Sequence, residues 1–567
     1  MASIGVVDYA IFGLSLFLSI AVGVYFAVKA RKSRAPATSN FLMGSRKMPI
    51  LPTALSLLTT FLSGGTLLGG PPEIYQRGIL FWLFYMAGSV SFVTAVFFFV
   101  PVIYKLQPTS VYEYFEKRFG SRLLRRLAAL LFLVNTIFYM SVVMYAPAAA
   151  LSEVTGEPDW PFILVIGIAT TFYTSIGGLK AVVWTDTIQA VFMYVGVLTL
   201  IIKGSLDAGG FGRVWQVSTD LGRTSHVFTQ LNPTPAQYNS VWIASVGGAA
   251  YWLTVYGLNQ MALQRYCSLR SMRDVKIVVA ITVPAFCILS TMALYIGLIG
   301  LAYYYGCDPL TTGQVDTPDK LTMMLAADIL GDYPGLLGIF LACMFSATLS
   351  TLSSGMNSMA AVTWEDIISH HFDLSDTKAV LVNKLLVAGF GALSTGLAFA
   401  CQSLGGIVST CASVFGAIAG PFVGLLMLGV LVPRANKFSA IAAFLATETV
   451  MLWICIGGFV YQPYRHYAMD TNTTCASNVT VFKSADLHFG AEDVFPMYKI
   501  GPLIYALIGM VSLLMLGLVL SYVLPAKWDK NNHLRRPLTL AGLHMPLNEN
   551  VQMENDLAHE LLRRASF

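Results

Sequence analysis

The stretch Phe345–Asn357, FSATLSTLSSGMN, carries a cluster of hydroxyls at the end of an apolar run, GLLGIFLACM, long enough to continue as a membrane helix. At helical spacing Ser346, Ser350, Ser353 and Asn357 share one stripe, with Thr351 and Ser354 beside it. None of these side chains is charged. Together they offer hard, neutral oxygens of the kind a small cation such as Na⁺ prefers. Small residues and hydroxyls also let helices pack closely or bond back to their own carbonyls. On this stretch alone both readings stand.

Three other places could take part in the same chemistry. LPTALSLLTTFLSGGTLLGGPP has Ser63-Gly64-Gly65 in the middle of an apolar span, where glycine weakens a helix and a freed carbonyl must find a partner. Unwound carbonyls of that kind coordinate ions in inverted-repeat transporters, and a glycine contact with a neighbouring helix explains the same residues. FGAIAGPFVG, Phe415–Gly424, reads as a second interruption late in the chain. Asp186, in SIGGLKAVVWTDTIQAVFMYVG, is a carboxylate at the edge of an apolar span, with Gln189 a turn further on. A buried carboxylate needs a cation or several donors, so Asp186 marks a functional site or pairs with Lys180 at the membrane edge. Tyr251–Tyr266, YWLTVYGLNQMALQRY, supplies Trp252 and neighbouring aromatics, which can wall a solute cavity or anchor at the interface.

These residues need a scaffold of spans. The chain has 567 residues, 56% hydrophobic and only 11% charged. A soluble domain carries charge on about a quarter of its residues. The deficit and the repeated apolar runs predict an all-α polytopic membrane protein of about thirteen spans, among them 160–176, 181–203 and 237–258. The N-terminal run has no basic region or small-residue cleavage site before it, so it reads as a first span. A net charge of +5 is then no nucleic-acid footprint; the distribution of positives among loops is what matters. The loop after the first span is rich in Lys and Arg. Counting onward, Arg118 and Arg125, then Lys180, then Arg265 and Arg270, and finally Arg434 and the tail fall on one side. That side is predicted to be cytoplasmic and the N-terminus extracellular. The sequons at Asn472 and Asn478 fall in the loop 462–498, on the opposite side, as glycosylation requires. Of eight cysteines, Cys307 and Cys475 fall in polar outer loops, where a disulfide between them can form. No Walker motif, HExxH, GxSxG or TVGYG sequence is present, which argues against an ATPase, those hydrolase classes and a potassium channel.

GGLKAVVWTD with Gln189, YGLNQMALQRY and SATLSTLSSGMNSMAAVTWEDI resemble the sodium/solute symporter family. Over FLMGSRKMP to about residue 435 the chain is similar to the branch of sodium-coupled monocarboxylate, multivitamin and iodide symporters. The resemblance implies a LeuT-type fold of five plus five inverted-repeat helices. It divides the chain into a first span and cytoplasmic loop (1–48), a transport core (49–435), two C-terminal spans with a glycosylated outer loop (436–524) and a cytoplasmic tail (525–567). It further implies a Na⁺ site from the carbonyls of Thr59, Leu62 and Ala347 and the side chains of Ser350 and Thr351. Asp186, Gln189, Ser353, Ser354 and Asn357 match positions for a second ion or for coupling. The solute is placed near Thr66, Tyr145, Trp252 and Phe415. Thr66 stands where the iodide carrier has glutamine, as in the monocarboxylate carriers. The implied activity is Na⁺-coupled import of a small organic anion, such as a monocarboxylate, across the plasma membrane. Multivitamin and iodide transport, and a non-transporting solute sensor on the same scaffold, are the alternatives.

Overall fold

Ile50–Phe61 is a helix of twelve residues that starts after Pro49 and stops at Leu62, whose φ and ψ of −91° and 79° lie outside the helical region. A second helix, Gly64–Arg77, begins at once, bent by 54° from the first. In the computed structural model the described residues are 5–31, 37–224, 230–315, 317–372, 374–403, 407–461, 494–524 and 538–542. Asn472, Asn478 and Cys475 lie outside them.

Among the described residues ten helices are long and apolar enough to cross a membrane, and the bent pair makes an eleventh. The difference from about thirteen expected spans has two sources. Trp160–Asp207 is one helix of 48 residues by its hydrogen bonds. At ~1.5 Å per residue it is far longer than a hydrocarbon core of ~30 Å. Gly178, with φ 59° and ψ −163°, breaks it into the two spans expected at 160–176 and 181–203. A side chain at Gly178 would also run into the Phe41 carbonyl, 2.6 Å from its Cβ. The expected span 237–258 is an interrupted element. Two π-helical turns, Ile243–Gly247 and Thr254–Leu258, flank a short helix. The chain then extends at Asn259 (ψ 130°) and resumes as Gln260–Cys267.

Phe415–Gly424 is not interrupted, contrary to expectation. It lies within the continuous helix Ile407–Leu431. Its glycines bring the C-terminal helix Tyr505–Val523 into contact: a Cβ at Gly420 would sit 2.7 Å from the Ala506 carbonyl oxygen.

The centre of the molecule is the hydroxyl-bearing helix Leu336–Thr363, buried from Ala342 through Val362. Its small residues allow approach from several sides. The second half of the broken helix comes so close that a Cβ on Gly64 would overlap the Thr348 hydroxyl. The first helix, Val6–Arg31, covers its N-terminus: Asp8 Oδ1 accepts from the Gly335 and Gly338 amides at 3.0 and 2.7 Å. A carboxylate there meets unsatisfied amides and the positive end of the helix dipole. Phe12 packs against Phe345, ring centroids 4.5 Å apart.

Candidate functional site

Ending a helix at Phe61 releases its last carbonyls from the i to i+4 ladder. The Thr60 carbonyl among them faces the hydroxyl helix. Thr351 Oγ1 donates to the Thr60 carbonyl at 2.9 Å and lies 3.1 Å from the Ala347 carbonyl. Thr59 Oγ1 and Ser350 Oγ share a hydrogen bond of 2.8 Å. Thr59, Ala347, Ser350 and Thr351 are thus brought together beside the break, which falls at Leu62, and all five are buried. With their protons committed to carbonyls and to one another, these hydroxyls keep lone pairs for a cation. No cluster of three or more His, Cys, Asp or Glu side chains suited to a metal occurs among the described residues. Neutral oxygens of this kind suit a hard monovalent ion.

Asp186 is fully buried, and its partner is Arg265, not Lys180. Arg265 Nη2 donates to Asp186 Oδ2 at 3.0 Å, to Thr60 Oγ1 at 2.7 Å and to Ser354 Oγ at 2.5 Å. Its Nε donates to Ser56 Oγ at 2.8 Å, and Ser56 donates in turn to Asp186 Oδ2. Lys180 lies 3.5 Å from Ser45 Oγ. The sequence places Arg265 among the loop positives; it is instead 1% exposed and joins the second interrupted element to the first. Arg118 and Arg125 are likewise buried, so three of the positives used for orientation bind protein groups.

The five residues matched to a second ion or to coupling do not form one closed shell. Ser354 faces Arg265, whereas Ser353 Oγ donates to the Ser350 carbonyl of its own helix at 3.1 Å. Gln189 Nε2 donates to Ser19 Oγ of the first helix at 3.2 Å. Asn357 Nδ2 donates to Gln264 Oε1 at 3.4 Å. Asp186 Oδ1, Gln189 Oε1 and Asn357 Oδ1 are buried oxygens with no partner among the described residues.

A cavity opens between the two interruptions. Ser63, Gly65 and Thr66 line it from the first, and Trp252 and Asn259 from the second. Phe415 closes one wall, its ring 6.0 Å from Tyr139 and 5.6 Å from Tyr251. Among the described residues no charged side chain lines it. The polar groups it offers include the Tyr85 and Tyr139 hydroxyls, the Ser63 and Thr66 hydroxyls, Asn259 and the N-terminus of Gly64–Arg77. Trp252 Nε1 is a buried donor without a partner among the described residues. Tyr145 does not line the cavity; it packs at the edge of the core, and Tyr139 and Val143 of the same helix take that place. Asn259 belongs to the stretch Tyr251–Tyr266, where Gly257 and Asn259 inside an apolar run are a local sign of an interruption.

The model of the sodium:solute symporter family matches residues 41–447. Human sodium-coupled monocarboxylate transporter 2 is 37% identical over 522 residues, covering 91% of this chain and 84% of that protein. The rabbit (Oryctolagus cuniculus) sodium-dependent multivitamin transporter is 35% identical over 531 residues, covering 92% and 82%. Among solved structures, a Na⁺-coupled sialic acid symporter in a substrate-bound outward-open state superposes with a TM-score of 0.75 at 20% identity, over 92% of this chain and 98% of that one. The fold is therefore the all-helical LeuT-type arrangement that the resemblance implied.

Proposed function

This chain belongs to the sodium:solute symporter family, a multi-pass membrane transporter that couples solute movement to Na⁺ and not an enzyme, and from that premise we propose that its solute is a small monocarboxylate. The observation that carries the reading is the cavity between the interruptions: it has no cationic side chain, yet the N-terminus of Gly64–Arg77 opens onto it. Helix N-termini hold carboxylates through free amides and the dipole, and broken-helix transporters place them at anionic substrate groups. Thr66 and the Trp252 indole N–H add donors, while Phe61 and Phe415 limit the length of the apolar part. The similarity to monocarboxylate transporters supports the same class.

In this reading Na⁺ sits among the Thr59, Leu62 and Ala347 carbonyls and the Ser350 and Thr351 hydroxyls. It holds the first helix half against the hydroxyl helix and so fixes the N-terminus that receives the carboxylate. Solute binding is then stronger with Na⁺ bound, and by linkage Na⁺ binds more tightly with solute present. The protein lies in the plasma membrane with its N-terminus outside, and the end bearing Lys105 and the loop helix Glu113–Phe119 is cytoplasmic. Each net charge moved inward gains ~2.3 kcal/mol per 100 mV. With two Na⁺ per monoanion the cycle is electrogenic, and the unpartnered oxygens of Asp186 and Gln189 favour a second ion.

The test is uptake of labelled lactate, nicotinate, biotin, pantothenate and iodide by cells expressing the chain, each in Na⁺ and in choline medium. Na⁺-dependent accumulation of lactate or nicotinate above equilibrium is expected. Accumulation of biotin and pantothenate alone would move the substrate to the vitamin class. Surface-expressed protein that concentrates none of them would support the sensor.

A further inference from the structure

Beyond the central cavity, toward the loop helix Glu113–Phe119, lies a second, smaller cavity lined by Tyr112, Phe132, Asn135, Thr254 and Phe422. Phe415 and Asn259 line both cavities and form the partition between them. On helix Arg122–Thr155 the step from one to the other is about one turn, from Tyr139 to Asn135. The rings of Phe132 and Phe422 lie 5.6 and 6.0 Å from that of Tyr112 and close the far side.

The polar content of this space is specific. Asn135 is 4% exposed, and its Oδ1 is buried without a partner among the described residues. Asn259 Oδ1 accepts from the Met261 amide at 2.9 Å, which orients its amide and leaves Nδ2 as the group for a ligand. The Thr254 hydroxyl donates to the Tyr251 carbonyl at 2.6 Å and keeps its lone pairs. An orphaned amide oxygen calls for a donor, and an amide nitrogen lining the same cavity calls for an acceptor. A 2-hydroxy carboxylate presents both on adjacent carbons.

We propose that this cavity is a second solute site, taken up by a small 2-hydroxy monocarboxylate after it leaves the central cavity. The hydroxyl donates to Asn135 Oδ1 and the carboxylate accepts from Asn259 Nδ2. The assignment rests on the carboxylate reading above. The donors named here are fewer than those of the central cavity, so the site binds more weakly than that cavity, as a station on a permeation route must if the solute is to move on.

The experiment uses cells expressing the full chain, loaded with labelled lactate or labelled propionate, which lacks the hydroxyl. Efflux and external KM are measured for wild type and Asn135→Leu at matched surface expression. Asn135→Leu is expected to slow lactate efflux about three- to tenfold, the effect of one hydrogen bond, with external KM and propionate efflux changed less than about twofold. Equal slowing of both solutes, or no slowing, overturns the site. If Asn135→Leu does not reach the surface, Phe132→Trp replaces it. Filling the cavity should slow efflux of both solutes at unchanged external KM, and unaltered efflux there overturns the proposal. Wild type without Na⁺-dependent lactate uptake would sink the carboxylate reading itself; uptake with unaltered efflux in the variants sinks only the second site.

Discussion

Arg265 and Asp186 form a buried pair whose hydroxyl partners, Ser56, Thr60 and Ser354, come from the broken helix and the hydroxyl helix. Removing one member of such a pair strands the other charge, which costs about 3–5 kcal/mol, whereas replacing both by apolar groups is often neutral. Asp186→Asn is therefore expected to lower the detergent melting temperature sharply. Asp186→Leu combined with Arg265→Met should recover most of the folded yield while leaving Na⁺-dependent uptake abolished. Full uptake by the double variant would make the pair purely structural. Asp186 could be picked out in the sequence because a carboxylate in an apolar run is conspicuous. Its partner could not, since Arg265 ends an apolar segment beside Arg270 and reads as a loop charge until the second interruption turns it inward.

The two interrupted elements differ in how they announce themselves. Ser63-Gly64-Gly65 is plain in the sequence, and the bend falls there. The second rests on π turns and the extended Asn259; its glycine pair, Gly247-Gly248, lies at the first π turn, well before the point where the chain extends. Phe415–Gly424 has the glycines and proline of a break yet stays helical, because those residues face Tyr505–Val523 and bring the two helices together. Glycine content alone cannot separate a break from a close contact; the partner helix decides. At Gly64 both hold, since it starts the second half-helix and touches Thr348. Gly64→Ala is expected to push the half-helix off the hydroxyl helix and reduce Na⁺-dependent uptake at least tenfold. Thr348→Ala in the same chain should restore part of it. Failure of that rescue would show that the conformation at Gly64, not the contact, is what matters.

Across the whole molecule, one end of the bundle is tied by charge. Arg125 donates to Asp366 Oδ1 at 2.5 Å and to Glu116 Oε2 at 2.8 Å, joining the hydroxyl helix to the loop helix Glu113–Phe119. Arg118 donates to the Gly429 and Val432 carbonyls, both at 2.8 Å, capping Ile407–Leu431. Burial raises the Glu116 carboxyl, but hydrogen bonds and charge from Arg125 and Arg122 outweigh it and hold the group below its ordinary value. Its contribution is then fully present above the unfolded carboxylate range and is lost as pH falls through the depressed value. Glu116→Gln should lower the melting temperature by roughly 1–3 °C at pH 7, with the gap narrowing below about pH 4.3. A gap independent of pH would contradict the linkage. The apolar character of the spans could be read from composition, and their number to within two or three, because lipid imposes length and polarity on each segment. The ties at this end could not, because buried arginines and surface arginines look alike in a loop. The central claim, that Na⁺ bound between the broken helix and the hydroxyl helix drives solute uptake, is tested most directly by the Na⁺ dependence of labelled lactate uptake in wild type, Thr351→Ser and Thr351→Ala at equal surface expression. The account predicts a saturable Na⁺ curve that is kept in Thr351→Ser and shifted at least tenfold to higher Na⁺, or lost, in Thr351→Ala. An unshifted curve in Thr351→Ala would contradict it.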